Sequence, residues 1–328
     1  MSLTKNKISY SLAINQALIQ LIKSDGSIVL LGQGVKSPWY VGNTSRDLVK
    51  RFGEKRVIDT PVSENAVTGI GLGLALAGSR AVVVHPRMDF MLYAMDPIIN
   101  QAANWNYMYG GGIKVPLVIW GIINRGGEQG AQHSQALYGI FSHIPGLKVV
   151  MPSNPYDAKG LMISAVYDNN PVIFIDDRWL YNLEQEVPEE IYRVPIGKAE
   201  IKREGKDITI VSASYMLNES LKASDELNKK GIYPEVIDLK TIKPLDADLI
   251  LKSVKKTGRL LIADASWKSF GVSSEISALV SENALSSLKA PVKRLCLYDA
   301  PAPASSQLEK AYYLTKDDII REVKNILK

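Results

Sequence analysis

The chain is poor in cysteine, with a single one, Cys296, among 328 residues. No intrachain disulfide is possible, so no disulfide scaffold underlies the fold, and a reducing compartment is expected. Cys296 lies in the apolar run Val292–Tyr298 and reads as a core thiol. No apolar run is long enough to span a bilayer, and the N-terminal residues carry no signal-peptide core. A cytoplasmic protein without a membrane contact is expected. Histidine is scarce too, at positions 85, 133 and 143 only, and none stands at zinc-ligand spacing. A Walker loop, a Gly-x-Ser-x-Gly elbow and a Gly-Asp-Gly magnesium-diphosphate motif are all absent. Charge of one sign is not concentrated: 39 Lys and Arg face 34 Asp and Glu, a net charge of +5. The basic residues form no stripe, which argues against nucleic-acid binding.

What is present is an alternation of short β-branched runs with helical patterns. Strands are expected at Ser27–Leu31, Ala81–His85, Val115–Trp120, Lys148–Met151 and Val172–Asp176. Helices are expected between them at Glu64–Ala77, Asp89–Tyr109, Ala131–Phe141 and Tyr156–Tyr167. The acidic, proline-containing segment Tyr181–Lys206 breaks the rhythm and reads as a linker. A second alternation follows, with strands at Ile208–Ser212, Pro234–Leu239, Arg259–Ala263 and Val292–Tyr298. The fold class is therefore α/β, with two domains built on mostly parallel sheets. The expected division is 1–190, a linker at 191–206, and 207–328.

Three tracts carry candidate chemistry. Asp59-Thr60-Pro61-Val62-Ser63-Glu64 places a carboxylate on a short turn before a helix of small apolar residues. Desolvation there disfavours the charged form and suits proton transfer. The alternative is a first-turn Glu favoured only by the helix dipole. Gly69, Gly71 and Gly73 fall inside the helix, not between a strand and a helix, so a dinucleotide fingerprint is rejected in favour of close packing. Arg125-Gly-Gly-Glu-Gln-Gly-Ala-Gln-His133-Ser-Gln delivers His133 through a glycine-rich loop to an expected helix start. An acid, base or anion-binding role competes there with simple capping by Ser134 and the glutamines. His85-Pro-Arg-Met-Asp-Phe90 ends a strand where ligands gather in open α/β sheets. Phe90 there is either a stacking surface or a core aromatic.

Asp-Thr-Pro-Val-Ser-Glu, Gly-Leu-Ala-Leu-Ala-Gly, Tyr107-Met-Tyr-Gly-Gly, Gln-His-Ser-Gln, Pro145-Gly-Leu-Lys-Val-Val-Met-Pro-Ser and Thr241-Ile-Lys-Pro-Leu-Asp occur in one consistent order from about Tyr10 onward. Together they resemble the beta subunit of thiamine-diphosphate-dependent 2-oxo acid dehydrogenases. The resemblance implies a pyrimidine-binding domain followed by a transketolase C-terminal-like domain. It also implies thiamine diphosphate as cofactor and magnesium held mainly by an alpha subunit. The implied assembly is two alpha and two beta chains, with a lipoyl acyltransferase core as the acyl acceptor. By the same resemblance Glu64 bonds the aminopyrimidine nitrogen, Phe90 packs on that ring, and His133 stands near the acyl-transfer channel. Leu117, Ala165, Asp168 and Asn170 match positions that hold potassium in some members. The chain departs from the family pattern at His85-Pro-Arg-Met-Asp, at Trp120–Gly127 and at Asp264 and Ser266. Those departures keep open a synthase with a sugar or nucleotide-sugar acceptor. A non-catalytic scaffold is the third possibility, disfavoured by the presence of both Glu64 and His133.

Overall fold

The computed structural model describes residues 5–37 and 40–328. Contacts divide the chain into two units. The first comprises residues 1–125 and 140–196, the second residues 126–139 and 197–328.

In the first unit six strands lie side by side: β1 (Ile28–Gln33), β2 (Val57–Thr60), β3 (Arg80–His85), β4 (Leu117–Ile123), β5 (Lys148–Val150) and β6 (Val172–Asp177). Their spatial order is β5-β6-β4-β3-β1-β2, and every pairing is parallel. A parallel sheet covered by helices on both faces needs apolar residues at consecutive positions. All of β4 is buried, as is β1 as far as Gly32. Trp120 meets Phe174 edge to face, with ring centroids 6.2 Å apart. Two helices lie against one another on this unit. Helix α1 (Tyr10–Ser24) starts where the Ser9 side chain accepts from Leu12 N. The second, Pro155–Val166, starts where Asn154 accepts from Asp157 N and where Pro155 fills the first turn without wasting a donor.

The expected helix Asp89–Tyr109 is three consecutive segments: a 3-10 stretch (Met88–Ala94), a π stretch (Asp96–Ala102) and an α segment (Ala103–Met108). Pro97 removes a backbone donor there, and the ladder shifts its spacing around the gap. The acidic segment after Tyr181 is more ordered than its composition suggests. Glu184–Pro188 pairs antiparallel with Lys5–Ser9, and Val187 and Val194 are buried.

The second unit holds β7 (Glu200–Arg203), β8 (Ile208–Ser212), β9 (Pro234–Asp238), β10 (Leu260–Trp267) and β11 (Lys293–Leu297) in the order β11-β10-β8-β9-β7. Only β7 runs antiparallel to its neighbour. Its core gathers Ile210, Leu227, Val236, Leu261, Ile319 and Val323. The last helix, Lys316–Leu327, opens with a capping box between Thr315 and Asp318.

Candidate active site

The chain leaves β1 toward β2 on one side of the sheet and leaves β3 toward β4 on the other. The adjacent strands β1 and β3 therefore form a topological switch point, where ligands bind in open α/β sheets. A cleft opens there, lined by Gln33 at the end of β1, Thr60 at the end of β2, His85 at the end of β3, and Glu64. Pro61 cannot extend the β2 ladder, so the chain turns. Helix α2 (Glu64–Leu76) then begins with Glu64 in its first turn, half-buried, where the helix dipole favours an acidic group. The cleft volume is about 10 Å³, room for roughly one water molecule. The Thr60 hydroxyl is buried with no hydrogen-bond partner.

Phe90 lies in the Met88–Ala94 turn, half-buried, with the Tyr93 ring tilted beside it at 6.4 Å. Asn65 Nδ2 donates to Tyr93 O at 3.3 Å, so the first turn of α2 is tied to the turn that carries Phe90. Glu64 and Phe90 are thus held on adjoining elements at one end of the sheet.

The ends of β4 and β6 add a buried polar group that sequence reasoning missed. Arg125 Nε donates to Asp177 Oδ2 at 2.6 Å, both side chains being nearly inaccessible. Tyr181 donates to Asp176 Oδ2 at 3.0 Å, and Tyr10 stacks on Tyr181 with centroids 6.2 Å apart. Burial pushes the Asp176 carboxyl up to about 7. Asn124 Nδ2 donates to Pro86 O at 3.0 Å, bracing the turn after β3. The signal in the sequence was the Asp176-Asp177 pair at a strand end, where two adjacent carboxylates need partners.

His133 belongs to the second unit, in the loop Gly126–Gly139. Gly126, Gly127 and Gly130 and the non-glycine Glu128 all take positive φ. The helix expected from Ala131 starts only at Tyr138, so His133 sits in a turn and not at a helix N-terminus. Those left-handed residues reverse the chain just before Ala131. The loop is anchored by Glu128 N donating to Glu309 Oε1 at 3.0 Å and by the Tyr138 hydroxyl donating to Asp264 within β10.

Leu117 starts β4, Ala165 lies in the last turn of Pro155–Val166, and Asp168 and Asn170 follow that helix. Leu117 and Arg80 both begin strands, so this group is at the opposite end of the sheet from Glu64. Arg80 Nη1 donates to Val166 O and Asp168 O at 2.9 and 3.1 Å. Ala165 O accepts from Asp168 N at 3.2 Å. Among the described residues no cluster of three His, Cys, Asp or Glu is placed to hold a metal ion. No helix among them is long and apolar enough to cross a membrane.

Residues 6–184 match the pyrimidine-binding domain of transketolase, and residues 197–319 match the transketolase C-terminal domain. The beta subunit of acetoin:2,6-dichlorophenolindophenol oxidoreductase from Cupriavidus necator is 41% identical over 98% of both chains. The chain belongs to the family of dehydrogenase beta subunits built on the transketolase fold. Pyruvate dehydrogenase E1 component subunit beta from Porphyra purpurea is 42% identical over 96% of this chain and 95% of its own. The Bacillus subtilis protein of that name is 40% identical over 96% and 97%. These relatives favour the dehydrogenase reading over the sugar-acceptor synthase. A split-gene transketolase, solved as an inactive beta4 tetramer, shares the fold, with a TM-score of 0.79 at 22% identity over 98% of both chains.

Proposed function

We propose that this chain is the beta subunit of a cytoplasmic, thiamine-diphosphate-dependent 2-oxo acid dehydrogenase. It works with an alpha subunit that holds the diphosphate and magnesium, in an assembly of two alpha and two beta chains. The observation that carries the reading is Glu64 at the mouth of the switch-point cleft, tied through Asn65 to the turn bearing Phe90.

The residues fit the aminopyrimidine end of the cofactor. A half-exposed carboxyl, a half-exposed flat ring and an orphaned hydroxyl at Thr60 supply the acceptor, the apolar face and the polar contact that such a ring needs. When bound, thiamine diphosphate would supply a carbon nucleophile and an electron sink for decarboxylation of a 2-oxo acid. Glu64 holds a proton at its carboxyl and shares it with the ring nitrogen. Phe90 orients the ring by stacking and keeps water from its face. His133 acts on the acyl unit as acid or donor during transfer, with a lipoyl domain as acceptor.

The reading is tested by purifying the chain with its alpha partner and following dichlorophenolindophenol reduction with pyruvate, branched 2-oxo acids or acetoin. Cofactor-dependent reduction with a 2-oxo acid supports it. Reduction with acetoin alone would replace the donor, and no reduction with any donor would remove the proposal.

A further inference from the structure

His85 lines the cleft beside Glu64. His85 ends β3 and is buried, and its Nε2 lies 3.0 Å from the Thr68 hydroxyl, which is also buried. Thr68 sits four residues after Glu64 on α2, about one helical turn, and so on the same face. One side-chain contact therefore ties the C-terminal end of β3 to the turn that presents Glu64. The body of α2 also packs on β3 and on the Met88–Ala94 turn, but the loop leading into it is held less firmly. Ser63, at the N-cap position, makes no side-chain capping bond, and Pro61, Val62 and Ser63 are exposed. The Asn65–Tyr93 contact lies on the exposed side.

We propose that His85 is a positioning residue, which through Thr68 sets the height and rotation of the first turn of α2 and so aims the Glu64 carboxyl at the cofactor ring. This rests on the reading of Glu64 given above. The chemistry of the imidazole suits the task. Desolvation pushes it down to about 4, so at neutral pH it is uncharged and keeps one N–H and one bare nitrogen. It can hold the threonine hydroxyl without placing a cation in the cleft that Glu64 also lines. His85 and Thr68 thus form a pair, in which the strand-end departure from the family pattern at His85 is matched by a hydroxyl on the facing helix.

The test uses the complex with the alpha subunit and thiamine diphosphate plus magnesium as the probe. Thr68→Val removes the hydroxyl at nearly constant volume. It should weaken cofactor binding in calorimetry by about tenfold and lower kcat by about 10- to 100-fold, with KM for the 2-oxo acid within about twofold of the parent. Thr68→Ser should restore both. A helix that was merely destabilised would lose thermal stability without this split or this rescue. The unmodified protein gives a second check. With only three histidines, ring nitrogen-15 shifts should show His85 neutral from pH 8 to 5. Parent-like binding and turnover in Thr68→Val, no rescue by serine, or a His85 ring titrating near its ordinary value would each overturn the proposal while leaving Glu64 untouched. Absence of cofactor binding by the unmodified complex would remove both.

Discussion

The Tyr181 hydroxyl donates to Asp176 Oδ2 at 3.0 Å, and both side chains are buried at the end of β6. Desolvation is the main reason that the carboxyl is raised from 3.8 to about 7. The unfolded carboxyl ionises near pH 3.8 and the folded one near 7. The folded state therefore loses stability as pH rises between those values, by about 4 kcal/mol in all. Asp176→Asn keeps an acceptor for Tyr181 and removes the titration. Denaturant melts should show an advantage for the variant that grows from pH 4 to pH 7 and then levels off. A pH-independent difference would contradict the assignment.

Lys159 is fully buried, and its ammonium is matched to three acceptors: Pro188 O at 2.6 Å, Glu189 O at 3.1 Å and Gln16 Oε1 at 3.1 Å. The Tyr192 ring covers it at 5.1 Å. It fastens the Glu184–Pro188 strand and the residues after it to the helix Pro155–Val166. Lys159→Met preserves most of the volume and leaves the buried Pro188 carbonyl without its donor, at a cost of about 1–3 kcal/mol. Chemical denaturation should register that loss, and limited proteolysis should show earlier cutting near Glu189.

The three glycines of α2 differ in what surrounds them. A Cβ at Gly71 would lie 2.2 Å from Val83 Cγ2 of β3, whereas at Gly69 and Gly73 it would meet nothing within 4 Å. Gly71→Ala should therefore destabilise by about 1–3 kcal/mol through overpacking. Gly69→Ala and Gly73→Ala should stabilise this chain, measured alone, by up to about 1 kcal/mol through helix propensity. Thermal melts of the three variants distinguish these outcomes.

That contrast marks how far the sequence could be read. The run of small residues in α2 signalled close packing, yet only Gly71 is pressed against the sheet within this chain. Fully buried strands such as Leu117–Ile123 stood out because they are continuous apolar runs. The strands Val57–Thr60, Glu184–Pro188 and Glu200–Arg203 did not, because they are short, carry polar residues among the apolar ones and lie at the edges of their sheets. Glu64 and Phe90 were legible through the resemblance of whole motifs. The contacts that support them were not. His85 to Thr68 and Arg125 to Asp177 join residues 17 and 52 positions apart, and only helix packing in the first case and strand pairing in the second bring them together.

The most direct measurement is the rate at which the reactive thiazolium proton of bound thiamine diphosphate exchanges with deuterium, read by acid quench and proton NMR. It compares the complex carrying the unmodified chain with one carrying Glu64→Gln. If Glu64 shares its proton with the ring, exchange in the variant slows by about 10²-fold or more while the cofactor still binds. Equal exchange rates at equal cofactor occupancy would contradict the role assigned to Glu64.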